Sequence, residues 1–576
     1  MPQETEAVKQ TALALLLIAC GLSSPLLGTL TSTPRATAVG ALPPGATAGT
    51  TYYIRPDGGS PQQCTGLVDA PYPGSGTGQP CAWDHPFRAL QPSGEPGVPG
   101  TVRIARGDTL IVATGSYRVG YGAPGAENCS SDYPWDCYMP PVPSGPDPAH
   151  PTRILGSGWD AGCPNPPELW GTERAAMVLN LTDSSNVEID CLEITDHASC
   201  AEDHTGGLAC PRDGYPYGDW AAVGLYAEDS ASVTLRHLDI HGLAHTGVWA
   251  GRLADWTVED VRIAANGWVG WDGDIDGDDA NTGTLTFRRW TVEWNGCVES
   301  YPGEEPTGCW AQTAGGYGDG VGTGPTGGDW LIEDSAFLHN TSDGLDLLYH
   351  RLGGTVTIRR TIAEGNAGDQ FKTTGPTHFE NVVAVGNCGY FDGKSFTYNV
   401  DNCRAGGSAL ALTLHPGDLV TVVNTTVTGQ GDCLVIAECA EGEACSGGET
   451  VRLRNDIFVG NPEFGGGDTT CLAWTSLSGD PFAIDHSIIT GTKNIPSPCP
   501  PGSLCGVSPG LWDASIDSFD AHLLPTSPAV DAGTPDGAPS DDFDRRPRDA
   551  APDIGAYERW EPSAWVYLPL TVREGN

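Results

Sequence analysis

The chain has 576 residues, of which 18% are charged and 39% apolar, and it is rich in glycine (78) and proline (47). That is too long for one compact core and too short of helical faces for an α-class protein, so an elongated, repetitive, all-β architecture is predicted. A net charge of -44, from 73 Asp and Glu against 29 Lys and Arg, argues against nucleic acid and anionic lipid as partners, because both need clustered cations.

The first element is an apolar run, TALALLLIACGLSSPLL, over residues 11–27. It is too short and too early for a membrane span and predicts a signal peptide over 1–28, hence a secreted or cell-surface protein. Within it, Leu17-Ile18-Ala19-Cys20 resembles a bacterial lipobox, which would give Cys20 a lipid anchor. A linker rich in Ala, Thr, Gly and Pro follows over 29–50. Setting Cys20 aside, 18 of the 19 cysteines remain, an even number suited to pairing in an oxidising compartment. Cys129/Cys137, Cys200/Cys210, Cys297/Cys309, Cys388/Cys403 and Cys499/Cys505 lie close enough in sequence to staple loops.

Residues 51–175 read as short strands broken by Pro- and Gly-rich stretches such as MPPVPSGPDPAHP, predicting an irregular region that covers one end of the fold. From 176 the pattern becomes regular, with paired β-branched segments such as ASVTLRHLDIHGLAHTG, DWTVEDVRIAANGW and GTVTIRRTIAEGNAGD, several of them closed by an Asn turn. Asn266, Asn295, Asn340, Asn366 and Asn387 mark those turns. They recur at 21 to 29 residues, with one gap of 45 that must hold an insertion. A unit of this length cannot bury its own apolar face, but stacked copies share a core, so 176–515 is predicted to be a right-handed parallel β-helix, with 516–558 as its C-terminal cap and 559–576 as a tail. The stretch SPAVDAG leading to DIGAYE resembles the ending of many exported bacterial β-helix proteins.

In such a stack, residues one repeat apart lie about 4.8 Å apart in neighbouring rungs. Asp319, Asp343, Asp369 and Asp392 are spaced by 24, 26 and 23 residues, and Asp346 follows Asp343 by three. Stacked carboxylates repel by on the order of 1 kcal/mol per pair even when solvated. A Ca²⁺ ion would offset this, whereas the plainer reading is that these residues serve Asp-Gly turns. The chain has only four lysines, Lys9, Lys372, Lys394 and Lys493, and two of them fall beside the acidic column. Lysine can lose its proton where arginine cannot, which makes Lys372 a candidate general base. Its alternative role is an ion pair with Asp369.

These residues carry a resemblance. The segment NTSDGLDLLYHRLGGTVTIRRTIAEGNAGDQFKTTG is similar to the core of the family-nine polysaccharide lyases, which are pectate-lyase-like β-helix enzymes. The resemblance implies that Asp319, Asp343 and Asp346 are calcium ligands, with Asp369 beside them, and that Lys372 is the base of a β-elimination on a uronic-acid polymer. Two positions depart from the family pattern: Ser342 stands where it has an Asp, and Gln370 where it has a Gly.

A second acidic cluster, WDGDIDGDDANTG, places Asp272, Asp274, Asp276 and Asp278 at the first four odd-numbered positions of an EF-hand loop, but its twelfth position is Gly283. That excludes a full EF-hand and leaves a calcium-stiffened loop or a solvated turn. Aromatic residues gather nearby, at Trp268, Trp271, Trp290, Trp294, Trp310, Tyr317 and Tyr349, and about half of these should be core packing. Trp310, Tyr317, Tyr349 and Lys394 are the expected substrate contacts. A monomeric, calcium-dependent polysaccharide lyase is the leading expectation. A non-catalytic glycan-binding adhesin and a glycoside hydrolase using a carboxylate pair are the alternatives.

Overall fold

The computed structural model describes residues 49–559 except 96–97, 130–136, 203–207, 212–216, 276–279, 299–302 and 311–316. The expected signal peptide, the lipobox at Cys20, nearly all of the linker and tail, and Asp276 and Asp278 lie outside the described residues.

The molecule is a right-handed parallel β-helix. Among the described residues, strands stack in parallel into one sheet of 22 and a second of ten, and three short antiparallel pairs lie outside these sheets. The ten-stranded sheet contains Ala175–Asn180, Ala221–Glu228, Thr246–Gly251, Val269–Asp272, Val321–Gly322, Leu345–Leu347, Phe371–Thr374, Leu410–Leu414, Cys433–Cys439 and Cys471–Thr475, each paired with the next in chain order. Alternation along each strand sends one set of side chains inward. Val248, Trp271, Val321, Leu345, Phe371, Leu410 and Val435 form one continuous buried column in register.

Corners between strands are made by residues in the left-handed region. Asp334, Arg360, Asn381, Asn424 and Asn455 repeat this conformation rung after rung, with φ between 46° and 57°. Short polar side chains tolerate it best, and three of the five are Asn.

A second corner is built on the Asn turns read from the sequence. Asn266 donates to Asn295 Oδ1 at 3.0 Å, Asn295 to Asn340 at 2.9 Å, and Asn340 to Asn366 at 2.8 Å, all buried. The same oxygens accept the backbone N–H of the rung before. The 45-residue gap holds the expected insertion, a short hairpin of Cys297–Val298 and Gly308–Cys309 closed by the Cys297–Cys309 disulfide.

The helix starts earlier than the sequence suggested. Thr51–Gly59, Thr109–Val112 and Thr152–Gly156 already stack in parallel and join Ser185–Asp196, so 51–175 contributes rungs and is not only a cover. Long Pro- and Gly-rich excursions between these strands stretch the period and hide it. Nine disulfides join all 18 cysteines among the described residues. They include the five pairs anticipated from spacing and also Cys64–Cys81, Cys163–Cys191, Cys433–Cys471 and Cys439–Cys445.

Candidate functional site

The acidic column begins where each rung turns into the ten-stranded sheet. Asp319, Asp343 and Asp369 are all buried and each carboxylate accepts a backbone N–H from the next rung. Asp343 N donates to Asp319 Oδ1 at 2.9 Å, Asp369 N to Asp343 Oδ1 at 2.6 Å, and Ser408 N to Asp369 Oδ1 at 2.7 Å. One oxygen of each therefore has a structural task. Asp392, expected as the next member, is exposed on a turn, and the column passes to Ser408 instead.

The glycine that follows Asp319 and the one that follows Asp343 are packing requirements. A Cβ on Gly344 would lie 2.7 Å from Asn366 Nδ2, and one on Gly320 would lie 2.8 Å from Asn340 Nδ2. Gln370 occupies the equivalent place one rung on. Its Oε1 accepts from Asn366 Nδ2 at 2.9 Å and from Asn366 N at 3.1 Å, so it caps the Asn ladder. Asn387, the next turn Asn, instead accepts from Gln430 Nε2 at 2.7 Å. Gln370 is thus fully buried and satisfied by the fold, and its departure from the lyase pattern has a structural cause.

Asp346 and Lys372 are direct neighbours on adjacent strands and project from the outer side of the sheet. Lys372 Nζ contacts Asp343 Oδ2 at 2.9 Å and Asp346 Oδ2 at 3.0 Å. Asp319, Asp343 and Asp346 each present one carboxylate oxygen, all within 4.8 Å of one another. Burial, and then the neighbouring Asp343 and Asp346, hold Asp319 well above the usual carboxylate range. Burial followed by Asp343 does the same to Asp369. Asp346 is pushed up to about 6 by burial, with Lys372 opposing and Asp343 adding. For Lys372, burial alone would lower the pKa, but Asp343, Asp346 and Asp369 outweigh it and raise it.

Ser342 is also buried, and its Oγ accepts from Arg404 Nη1 at 2.7 Å. Arg404 lies 62 residues downstream and follows directly on the Cys388–Cys403 disulfide, which pins the loop that delivers it. Sequence reasoning missed this cation, although its neighbouring disulfide was anticipated.

The remaining expected residues divide. Tyr317 packs against Trp268, ring centroids 3.8 Å apart, two residues before Asp319. Tyr349 is 37% exposed just past the strand that carries Asp346, with the Arg351 guanidinium over its ring. Trp310 is buried and stacked on the exposed ring of Tyr398, so Tyr398 is the face a ligand could reach. Lys394 lies over the Tyr390 ring at 4.5 Å and not in the column. Trp271 and Trp290 are core residues and Trp294 is nearly so. Asp272 is in register with Gly322 and, one rung on, Asp346, while its Oδ1 accepts from Asp274 N at 2.8 Å.

The three clustered carboxylates offer hard oxygen donors and carry more negative charge than Lys372 neutralises, a donor set that fits Ca²⁺. Asp369 belongs to the ladder but lies outside this trio.

No protein-family model matches the chain, and no curated protein matches it. Solved structures do. The crystal structure of pectate lyase Pel9A is similar at 14% identity and a TM-score of 0.40, over 90% of this chain and 98% of that one. XylC in complex with xylose is similar at 9% identity and 0.42, over 89% and 99%. An alginate lyase from Paenibacillus sp. str. FPU-7 is similar at 14% identity and 0.29, over 66% and 92%. These likenesses assign no function, and it is the chain's own parallel stacking that makes it a parallel β-helix protein.

Proposed function

We propose that the protein is a polysaccharide lyase that cleaves a uronic-acid polymer by β-elimination with calcium. The observation that carries this reading is the placement of Lys372, in register with Asp346 and within 3.0 Å of two of three clustered carboxylates. A calcium ion held by Asp319, Asp343 and Asp346 would pair with the uronate carboxylate and acidify the proton at C5. Lys372 is held protonated by Asp343 and Asp346 in the protein as it stands, and it becomes a base only when those carboxylates are neutralised. Its Nζ then takes the C5 proton, the C4–O bond breaks, a C4–C5 double bond forms, and the leaving oxygen is protonated by solvent. Arg404 donates to the Oγ of Ser342, the residue that stands where the family pattern has an Asp. Nine disulfides support folding in an oxidising compartment, so we infer that the protein is exported.

A second reading, a glycan-binding surface protein without catalysis, is favoured by one observation. The raised pKa of Lys372 is what a purely structural ion pair would show. Ultraviolet absorbance of the unsaturated uronate product, followed across a panel of polyuronates with calcium and with chelator, separates the two. Calcium-dependent product that vanishes in Lys372→Ala supports the lyase; folded protein that gives no product on any polymer leaves the binding reading.

A further inference from the structure

One outward position on each strand of the ten-stranded sheet forms an in-register row: Asn180, Tyr226, Trp249, Asp272, Gly322, Asp346, Lys372, Ala411, Ile436 and Trp474. Trp249 stands three rungs before Asp346, and Trp474 stands three rungs after Lys372. At a rung spacing of about 4.8 Å, each indole is about 14 Å from the centre. Trp474 is 49% exposed at the far end of the row, on a strand tied to its neighbour by the Cys433–Cys471 disulfide. Trp249 is half-buried and fixed, its Nε1 donating to Asp274 O at 3.1 Å and its ring edge-on to Tyr226. Between Lys372 and Trp474 the row is apolar, at the buried Ala411 and the half-buried Ile436. Lys372 is its one cation.

We propose that this row is an extended glycan-binding face, with stacking subsites on Trp249 and Trp474 on either side of the acidic centre and charge recognition of a uronate only at that centre. The proposal rests on the lyase reading for the central subsite. An indole face binds the C–H face of a sugar ring and gives nothing to a carboxylate, while an apolar stretch without cations penalises a second or third uronate. The substrate class that fits is therefore a polymer in which uronates are interspersed with neutral sugars, lying along the helix axis over about seven rungs, roughly 34 Å. A homopolymer of uronates would place several carboxylates over Asp272 and the apolar positions of the row, where the described residues of the row offer Lys372 alone as a cation.

Affinity electrophoresis of the full chain tests this without relying on turnover. The probes are a polymer of alternating galacturonate and rhamnose units and, as the fully charged control, polygalacturonate. Trp474→Ala should weaken retardation by the alternating polymer about tenfold, the size of one lost stacking contact. Trp474→Phe should restore most of it, with the melting temperature unchanged in both variants. Retardation unaltered by Trp474→Ala, or polygalacturonate bound as tightly as the alternating polymer, overturns the proposal. Loss of binding in Trp474→Ala by a protein that releases no unsaturated product would keep the stacking face and remove the lyase.

Discussion

Two faces of the same helix handle charge in opposite ways. On the long sheet, Asp190, Arg236, Glu259, Arg288, Glu333, Arg359 and Glu380 lie in register and alternate in sign without a break. Arg288 reaches Glu333 at 2.8 Å, and Arg359 reaches Glu333 at 3.2 Å and Glu380 at 3.3 Å. On the ten-stranded side, Asp319, Asp343, Asp346 and Asp369 share one sign and have Lys372 between them. The fold can build a ladder of alternating charge at the rung period, and it does so where only cohesion is needed. The unneutralised cluster therefore stands out as a feature retained at a cost in stability, which is the pattern of a functional site.

The contrast can be sharpened first at its centre. Lys372→Ala is expected to cut turnover about a thousandfold, the scale of a lost general base, when initial rates of unsaturated product are compared at saturating calcium. The same variant leaves Asp343 and Asp346 facing each other, so its melting temperature should fall in chelator and recover with calcium. An alanine variant of full activity would break the comparison outright.

Asp343→Asn comes next, because Asp343 contacts both Lys372 and the backbone of the next rung. Calorimetric titration should show calcium affinity down by about tenfold or more. An unchanged isotherm would move the metal elsewhere.

The pH response of the two faces should also differ in sign. Asp346 is ordinarily half-protonated at 3.8 and sits at about 6 in the fold. Its protonation therefore stabilises the protein fully below the ordinary value, and that contribution is lost as pH rises through about 6. In calcium-free buffer, acidification from neutral pH toward 5 should raise the melting temperature, and Asp346→Asn should flatten that part of the profile. Beside the alternating column, Asp260 is held low by its hydrogen bond to Arg289, so it stabilises at higher pH and loses that contribution as pH falls. The smallest effect belongs to the alternating ladder: Arg288→Gln, at a side chain that is 40% exposed, should cost about 1 kcal/mol or less by denaturant titration, and less still at high salt.

Much of this was legible in the sequence. The Asn turns, the Asp column, the isolated lysines and five disulfides are local or recur at the rung period, and periodicity is what a stack writes into its chain. What escaped notice lies where loops interrupt that period. Asp392 falls 23 residues after Asp369, as a regular rung would require, yet the Cys388–Cys403 loop is inserted there and the true successor is Ser408, 39 residues on. Arg404 rides on that loop. Trp249 and Trp474 are separated by insertions of unequal length, so their alignment with Lys372 exists only in strand register. The rungs before 176 were hidden in the same way. Gln370 read as a defect in a motif because the ladder it caps is invisible until the Asn side chains are seen to touch.

The segment that follows the last rungs does more than close the end of the helix. It runs back along one corner and grips five successive left-handed corner residues. Arg545 pairs with Asp334 and Asp541 with Arg360; Asn381 donates to Asp541 O, Asn424 to Asp553 O and Asn455 to Thr534 O. A solenoid ordinarily couples each repeat only to its neighbours and can fray one turn at a time. Here a single strap spans the rungs that hold Asp334 through Asn455, a range that includes Asp343, Asp346 and Lys372. Those rungs should exchange their amide hydrogens as one block, so the acidic cluster would be lost by a single cooperative opening and not by gradual fraying from the C-terminal end.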